Sequence, residues 1–278
     1  MEQHSSGLLD ETEWALLNKG LAKYYCHIVS IYERQKAYSY VAEFSRLAIQ
    51  FATPDDDEGF AIKAEALNRL FHSSMAMSRF EAAHSSLLSM KDQAVQHACL
   101  RKLVEKMSDT YHNIELVSLP FPGLQHAVED ILLDKCQGTL DVVHGIPYHH
   151  ILYSWRIFHH NYRGAASILF DRIQKLRHAG EGDKFTGEDL IDTPVTQHYL
   201  MLINALSCVD AKERWILADE FPPAKPREPN DEGRERKAPE RKMVTMEDIR
   251  KQYQDELDRI AAIQNNQFGF DADGMEIL

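Results

Sequence analysis

The sequence predicts an all-α fold, an irregular α-solenoid of stacked helical hairpins that ends in a docking helix. Apolar residues recur with the 3.6-residue period of an amphipathic helix in almost every segment. Successive helices are separated by only a few residues, as in helical hairpins repeated along a chain. No convincing run of alternating apolar and polar residues marks a strand, and residues 215–218 are the only short candidate.

Two apolar stripes mark the first hairpin. In residues 13–34 the apolar side chains fall within about 120° of arc on a helix, and a second stripe covers residues 37–51. Pro54 ends this second helix, and the acidic residues that follow it favour the start of the next one. The pattern therefore predicts a helical hairpin followed directly by another helix.

The same pattern continues to about residue 208. The chain breaks around Pro120 and Pro122, and Pro147 is placed at the first position of an aromatic helix. Three turns, at residues 36–38, 79–83 and 161–166, put small residues at the start of a second helix. Either a common turn or unrelated helix starts would produce this similarity.

Residues 221–242 have a different composition. Five of the ten prolines lie here among mixed charges, and such a segment cannot offset the entropy lost on ordering. We expect a flexible linker, because interleaved glutamates oppose a nuclear-localisation patch. The predicted domains are an α-helical solenoid at 1–220, the linker at 221–242, and an amphipathic helix with a tail at 243–278.

The final helix has an apolar stripe of about 120° and a good N-cap residue in Thr245. Glu256 interrupts the stripe, so we expect it at the edge. A single amphipathic helix must bury its apolar face. It either folds back onto the solenoid or inserts into a partner, and the sequence leaves both open.

Composition limits the possible functions. The net charge of −12 opposes a phosphate-binding surface, so direct nucleic-acid binding is not expected. The sequence has no run of about 18 apolar residues, so membrane insertion is not expected. The first residues lack the features of a signal peptide. The four cysteines stand far apart in apolar helical contexts, which favours buried free thiols: Cys26, Cys99, Cys136 and Cys208.

No catalytic, cofactor or metal site is predicted. His149 and His160 would stand about 16 Å apart on one helix, too far for one ion. Residues 182–187 have the glycine spacing of a phosphate loop, but acidic residues follow where lysine is needed. Residues 271–276 are too short for a calcium loop. We expect a protein that is not an enzyme and takes no small-molecule ligand.

The segment at 147–166, PYHHILYSWRIFHHNYRGAA, resembles the helical domain of the fungal nucleoporin 120 family, whose metazoan members are nucleoporin 160. Segments at 24–49, 213–216 and 246–249 are similar to the same family. The resemblance implies a C-terminal fragment of a protein that begins with a β-propeller, in the Y-shaped outer-ring complex of the nuclear pore at the nuclear envelope.

The family's helical domain meets nucleoporin 85 and nucleoporin 145C at the hub of the Y. The resemblance therefore implies a structural scaffold subunit that binds these partners and supports nucleocytoplasmic transport of protein and mRNA. A helical adaptor or vesicle-coat scaffold without a pore role is the alternative.

A scaffold hub needs apolar surface that its own core does not use. The aromatic helix after Pro147 and the final helix with its tail have suitable side chains. The alternative is an aromatic helix covered entirely by its own chain. The predicted interface residues are Tyr148, Leu152, Trp155, Ile249, Tyr253, Ile260, Phe268 and Phe270.

Overall fold

The computed structural model describes residues 11–53, 57–139, 141–180, 192–218 and 242–268, without the side chains of residues 11 and 264–268. Over these residues the predicted all-α class is confirmed, with one two-stranded sheet added. The helices are α1 (Glu11–Asn18), α2 (Leu21–Arg34), α3 (Tyr38–Phe51), α4 (Asp57–Ala76), α5 (Phe80–Leu88), α6 (Gln93–Asp109), α7 (Asn113–Ser118), α8 (Gln125–Gly138), α9 (Tyr148–Phe158), α10 (Tyr162–His178), α11 (Pro194–Ser207) and α12 (Met246–Phe268).

The chain divides into two compact units, unit 1 at residues 1–131 and unit 2 at residues 132–278. The division falls within α8. The predicted boundary between solenoid and linker, at residues 220 and 221, lies outside the described residues, as do the glycine-rich segment 182–187 and the acidic segment 271–276. The linker and its flexibility therefore stay predictions, except that its last predicted residue, Lys242, begins a strand.

Four helical hairpins share one turn, in which a residue other than glycine has a positive φ. These residues are Lys36, Ser78, Tyr111 and His160, with φ between 55° and 60°. In each turn the next N–H donates to a carbonyl five residues earlier, as Ala37 does to Tyr32 and Asn161 to Arg156. This is the Schellman arrangement, which satisfies a free carbonyl at the helix end.

The common turn explains the similarity noted at residues 36–38, 79–83 and 161–166, and a fourth copy joins α6 to α7. Glycine is the usual residue at such a position because it has no Cβ to strain there. None of the four turns has a glycine at this position, so the usual sequence signal for such a turn is missing.

In unit 1 each helix packs on the next, from α1 to α7. The interior is filled by fully buried apolar side chains, among them Phe71, Leu87, Leu103 and Met107. The side chain of Asp92 accepts hydrogen bonds from the first backbone N–H groups of α6 and fixes where that helix begins. The periodicity of the sequence located most of these helices, but the single helix expected at 13–34 is divided into α1 and α2 at Gly20, which has a φ of 118°.

Unit 2 adds a β-hairpin to the helices α9, α10 and α11. The short strand candidate named from the sequence forms β1 (Trp215–Ala218), which pairs antiparallel with β2 (Lys242–Thr245). Ile216 and Val244 are partners in the register, and both enter the core formed with α10, α11 and α12. The hairpin therefore ties the last helix to the rest of the unit.

The final helix folds back onto its own unit, where α12 packs against α11. The predicted N-cap is confirmed, because Thr245 Oγ1 donates to Asp248 Oδ2 at 2.7 Å and accepts from the Asp248 N–H. The expectation for Glu256 was wrong. Its carboxylate is buried rather than placed at the edge of the stripe, and it binds the guanidinium groups of Arg177 and Arg259 at 2.8 Å and 2.6 Å.

Pro147 and Cys208 also differ from expectation. Pro147 is the N-cap of α9 rather than its first helical residue. Cys26 is half-buried and Cys208, which follows the last residue of α11, is exposed, so only Cys99 and Cys136 are the buried free thiols that the sequence predicted. Burial raises the pKa of the Cys136 thiol to about 12.

Candidate protein interface

The predicted interface residues on α9 are buried within the chain itself. Leu152 and Trp155 are 0% and 1% exposed, and Tyr148 is buried as well. Helix α9 packs against α10, while Ile157 on its other side contacts the core cluster. The structure thus supports the alternative of a core helix, and only Phe158, at the end of α9, is a largely exposed apolar side chain.

The predicted residues on α12 also face the chain itself. Ile249 and Ile260 are buried, and Tyr253 is partly buried with its ring 6.2 Å from that of Tyr199. The side chain of Phe268 and the whole of Phe270 lie outside the described residues. The interface role of these eight residues stays a prediction, and in the free chain the six described ones are buried or partly buried.

A different set of aromatic side chains, two of them exposed and three half-buried, lies on unit 1. The rings of Tyr25, Tyr32, Tyr40, Phe44 and Phe51 form a continuous series on α2 and α3, which we call the aromatic surface. Neighbouring ring centroids are 4.9 to 6.1 Å apart. Tyr40 and Phe51, near the two ends of α3, are 55% and 44% exposed.

The aromatic surface has the composition of a protein interface, in which tyrosine and phenylalanine are enriched. The sequence indicated only that these residues belong to a hairpin. Their exposure could not be predicted, because an apolar stripe that packs on a neighbouring helix and one that faces outward have the same period. The density of aromatic residues in α2 and α3 was the sequence feature that could have indicated this surface.

A groove in unit 2 runs between α10 and β1. Its volume is about 370 Å³, and its walls combine polar and apolar groups. The guanidinium of Arg163 lies over the ring of Trp215, 4.6 Å from its centroid. Arg156 is buried beneath the groove and its Nη1 donates to the Gly164 carbonyl at 2.7 Å. No feature of the sequence indicated this groove.

A second polar cluster lies inside unit 2 and was also missed. The Asp171 carboxylate contacts His149 Nε2 at 2.9 Å and Lys175 Nζ at 3.0 Å, and Lys175 Nζ donates to the Cys136 carbonyl at 2.7 Å. Burial by itself would raise the pKa of Asp171, but the His149 and Lys175 contacts outweigh it and hold the pKa below its usual range. The Asp171 carboxylate compensates the charge of buried Lys175, as a buried charge requires, and His149 adds a hydrogen-bonding contact.

Histidines near this cluster are held neutral. Burial is the main cause that lowers the pKa of His149, of His150 to about 3, and of His198 to about 4. Nearby Arg172 lowers all three further. Within the described part of the chain no group of three or more histidine, cysteine or carboxylate side chains could hold a metal ion.

None of the described helices combines the length and apolar character needed to cross a membrane.

Comparison with known proteins places these features in a family. The family model described as "Nucleoporin Nup120, HEAT repeats" matches residues 1–109. Nucleoporin NUP120 of Chaetomium thermophilum is 45% identical over 99% of this chain, and the match covers 28% of that protein. Nucleoporin nup120 of Schizosaccharomyces pombe is 29% identical over 76% of the chain and 18% of its own length.

The metazoan protein predicted as a relative is also found. Nuclear pore complex protein Nup160 of Mus musculus is 26% identical over 77% of this chain and 15% of its own length. The chain therefore spans less than a third of each of these relatives. The near-complete coverage of the chain at 45% identity, together with its stacked helical hairpins, shows that it belongs to the nucleoporin Nup120/Nup160 family.

Proposed function

We propose that this chain is a structural scaffold segment of the nuclear pore complex that binds helical nucleoporins at the hub of the Y-shaped outer-ring complex. The observation that carries the proposal is its 45% identity to a nucleoporin NUP120 over 99% of the chain. The proposed partners are nucleoporin 85 and nucleoporin 145C. The proposed location is the nuclear envelope, where the complex supports transport of protein and mRNA.

The physical support for a binding role comes from the helical hairpins and the side chains they leave exposed. Stacked helical repeats contact only their neighbours and so present extended surfaces to other proteins. The aromatic surface on α2 and α3 offers rigid rings, which contribute much of the binding energy in interfaces. We propose that a partner nucleoporin covers this surface.

Helices α9 and α12 stay in the proposal as supporting elements. Most of their predicted interface residues are buried in the free chain, so a partner would contact the side chains that stay exposed or partly exposed. Phe158 on α9 is 57% exposed, and Tyr253 on α12 is only partly buried. Aspartate at Ile249 or Ile260 would disturb the core first and would be a poor test of binding.

The proposed role is structural rather than catalytic. The cluster of His149, Asp171 and Lys175 contains residue types that serve in catalysis, but these side chains are bound to each other inside unit 2. The contacts satisfy the groups mutually, which is the arrangement expected of a stabilising cluster.

The experiment that tests the function is reconstitution. The purified chain is mixed with nucleoporin 85 and nucleoporin 145C, singly and together, and the mixtures are separated by size-exclusion chromatography. We expect the chain to co-elute with them in a stoichiometric complex. Failure to co-elute with either partner, together with recovery of vesicle-coat subunits from cell extract, would contradict the proposal.

A pair of double variants tests the surface separately from the function. Replacing Tyr40 and Phe51 with serine should weaken the complex, because both rings are exposed on the aromatic surface. Replacing Tyr111 and Ile114 with serine is the matched control, since these side chains of unit 1 are also exposed, at 73% and 87%, but lie at the turn between α6 and α7. Equal binding by both variants would reject the surface while leaving the function intact.

A further inference from the structure

The β-hairpin of unit 2 has an edge whose peptide groups point away from the sheet. In an antiparallel pair, residues alternate between those that face the partner strand and those that face outward. The Met246 N–H donates to the Arg214 carbonyl at 3.0 Å, which fixes this alternation. Residues 214, 216 and 218 therefore face β2, and Trp215 and Leu217 direct their N–H and C=O groups away from it.

The groove described above lies on that outward side. All four residues of β1 line it and no residue of β2 does, while α10 and the end of α8 form the other walls. Within the described ranges, no hydrogen bond to the outward peptide groups of Trp215 and Leu217 is found. An edge strand with such groups is a template for a further strand.

The groove is also basic, although the chain as a whole carries a net charge of −12. Arg163 is exposed over the ring of Trp215, and Arg156 lies beneath. The acidic group in the lining, Asp171, is already bound to His149 and Lys175. Apolar contact is available from Ile168 and Phe170, which also line the groove.

We propose that this groove binds an extended, acidic segment of a partner protein, which adds to β1 as a third strand. Its backbone hydrogen-bonds to Trp215 and Leu217, one apolar side chain enters the cavity, and a carboxylate pairs with Arg163. Main-chain hydrogen bonds supply affinity in this mode and the side-chain positions supply specificity. The inference goes beyond the proposed function, which requires no strand addition, and it does not depend on the partner being a nucleoporin.

Proline substitution tests the strand addition directly. Proline at position 217 removes an N–H that points away from β2, so the hairpin tolerates it while a third strand loses a hydrogen bond. Met243 is the register partner of Leu217 and points its own N–H to the opposite edge. Met243→Pro is therefore the matched control, and Leu217→Ala separates the side chain from the peptide group.

The probe is a display library of random ten-residue peptides selected on the wild-type chain. We expect selected peptides to alternate apolar and polar residues and to include a carboxylate. Leu217→Pro should weaken their binding about tenfold or more, equivalent to about 1.4 kcal/mol, whereas Met243→Pro and Leu217→Ala should bind within about threefold of wild type. Arg163→Glu should also weaken it about tenfold or more, because the peptide carboxylate would face a like charge.

Four results would overturn the proposal. The first is a selection that yields no peptide above background, and the second is a set of peptides that bind Leu217→Pro as well as wild type. The third is displacement of all the selected peptides by a synthetic peptide of residues 219–241, which would mean that a segment of this chain binds in the groove. The fourth is a dimer formed by the wild type but not by Leu217→Pro, which would mean that a second copy of the chain binds at this strand.

Far-ultraviolet circular dichroism reports whether each variant is folded, because most of the described residues are helical. If Leu217→Pro does not fold, Arg163→Glu decides the question, since Arg163 is exposed and lies on α10, outside the hairpin. Undiminished binding to Arg163→Glu would then reject the proposal.

Discussion

The two units are built from the same hairpin turn but have different interiors. Among the described residues of unit 1, the buried polar side chains are serines and one histidine, His84. In unit 2 the buried set includes Arg156, Lys175 and Glu256, all of which carry charge. Unit 1 is thus stabilised mainly by apolar packing between successive helices, whereas unit 2 also depends on ion pairs between residues far apart in the sequence.

The comparison indicates which contacts fix a unique arrangement of helices in such a scaffold. Apolar packing between neighbouring helices tolerates many combinations of side chains of suitable volume. A buried ion pair does not, because removing one partner leaves an uncompensated charge. The contact between Arg177 and Glu256 joins residues 79 apart in the sequence, so it helps to fix α12 in a single position on unit 2.

The largest expected effect is on the buried lysine of unit 2. Lys175→Ala leaves Asp171 without a cation and the Cys136 carbonyl without its donor. We expect the free energy of unfolding to fall by about 3 kcal/mol, measured by urea denaturation with Trp155 fluorescence. Lys91→Ala in unit 1, where the ammonium is exposed over the ring of Phe60, should cost less than about 1 kcal/mol. Equal losses would contradict the contrast between the units.

Acidification should destabilise unit 2 through its neutral histidines. In the unfolded chain these imidazoles bind protons near pH 6.5, whereas the pKa of His198 in the fold is about 4 and that of His150 about 3. Because the folded pKa values are lowered, the stability is complete above pH 6.5 and is lost as the pH falls toward 4.

For His198, which is buried, the expected slope is about 1.4 kcal/mol per pH unit within that window. Denaturation curves at pH 7 and pH 5 measure it. The variant His198→Gln should show a smaller pH dependence than wild type. An unchanged dependence in the variant would mean that His198 does not contribute to the acid sensitivity.

The smallest effect is expected at the shared turns, and it should have the same sign in both units. Lys36→Gly in unit 1 and His160→Gly in unit 2 place glycine at a positive φ, 55° and 59°. Each should raise the free energy of unfolding by up to about 1 kcal/mol, because the Cβ clash is removed. Lys36→Ala keeps a Cβ and is the control. Destabilisation by both glycine variants would show that the strain at these turns is negligible.

The sequence predicted much of unit 1 because its structure follows helical periodicity. The apolar stripes located the helices, and Pro54 marked the first hairpin's end. The αL residues of the turns could not be recognised, because lysine and serine, at Lys36 and Ser78, do not favour a positive φ. The exposure of Tyr40 and Phe51 was equally hidden, since periodicity does not indicate which side of a hairpin stays uncovered.

Unit 2 was predicted less completely because its organisation is non-local. Strand β1 was recognised as a candidate, but its four-residue partner was assigned to the linker and the start of the tail. Glu256 was expected at the edge of its helix because its cation, Arg177, lies 79 residues away. The buried contacts of Lys175 were missed for the same reason, since helical spacing pairs it with Asp171 but not with His149 or the Cys136 carbonyl.

Helix α12 belongs to the core of unit 2, while the aromatic surface of unit 1 is available to a partner. Hydrogen–deuterium exchange of the chain alone and bound to nucleoporin 85 and nucleoporin 145C tests both parts in one measurement. We predict that the amides of α12 around Ile249 are protected in the free chain and change little on binding, and that α2 and α3 gain protection. Fast exchange of α12 in the free chain, with protection only in the complex, would contradict the assignment of α12 to the core of unit 2 and make it a partner-binding element.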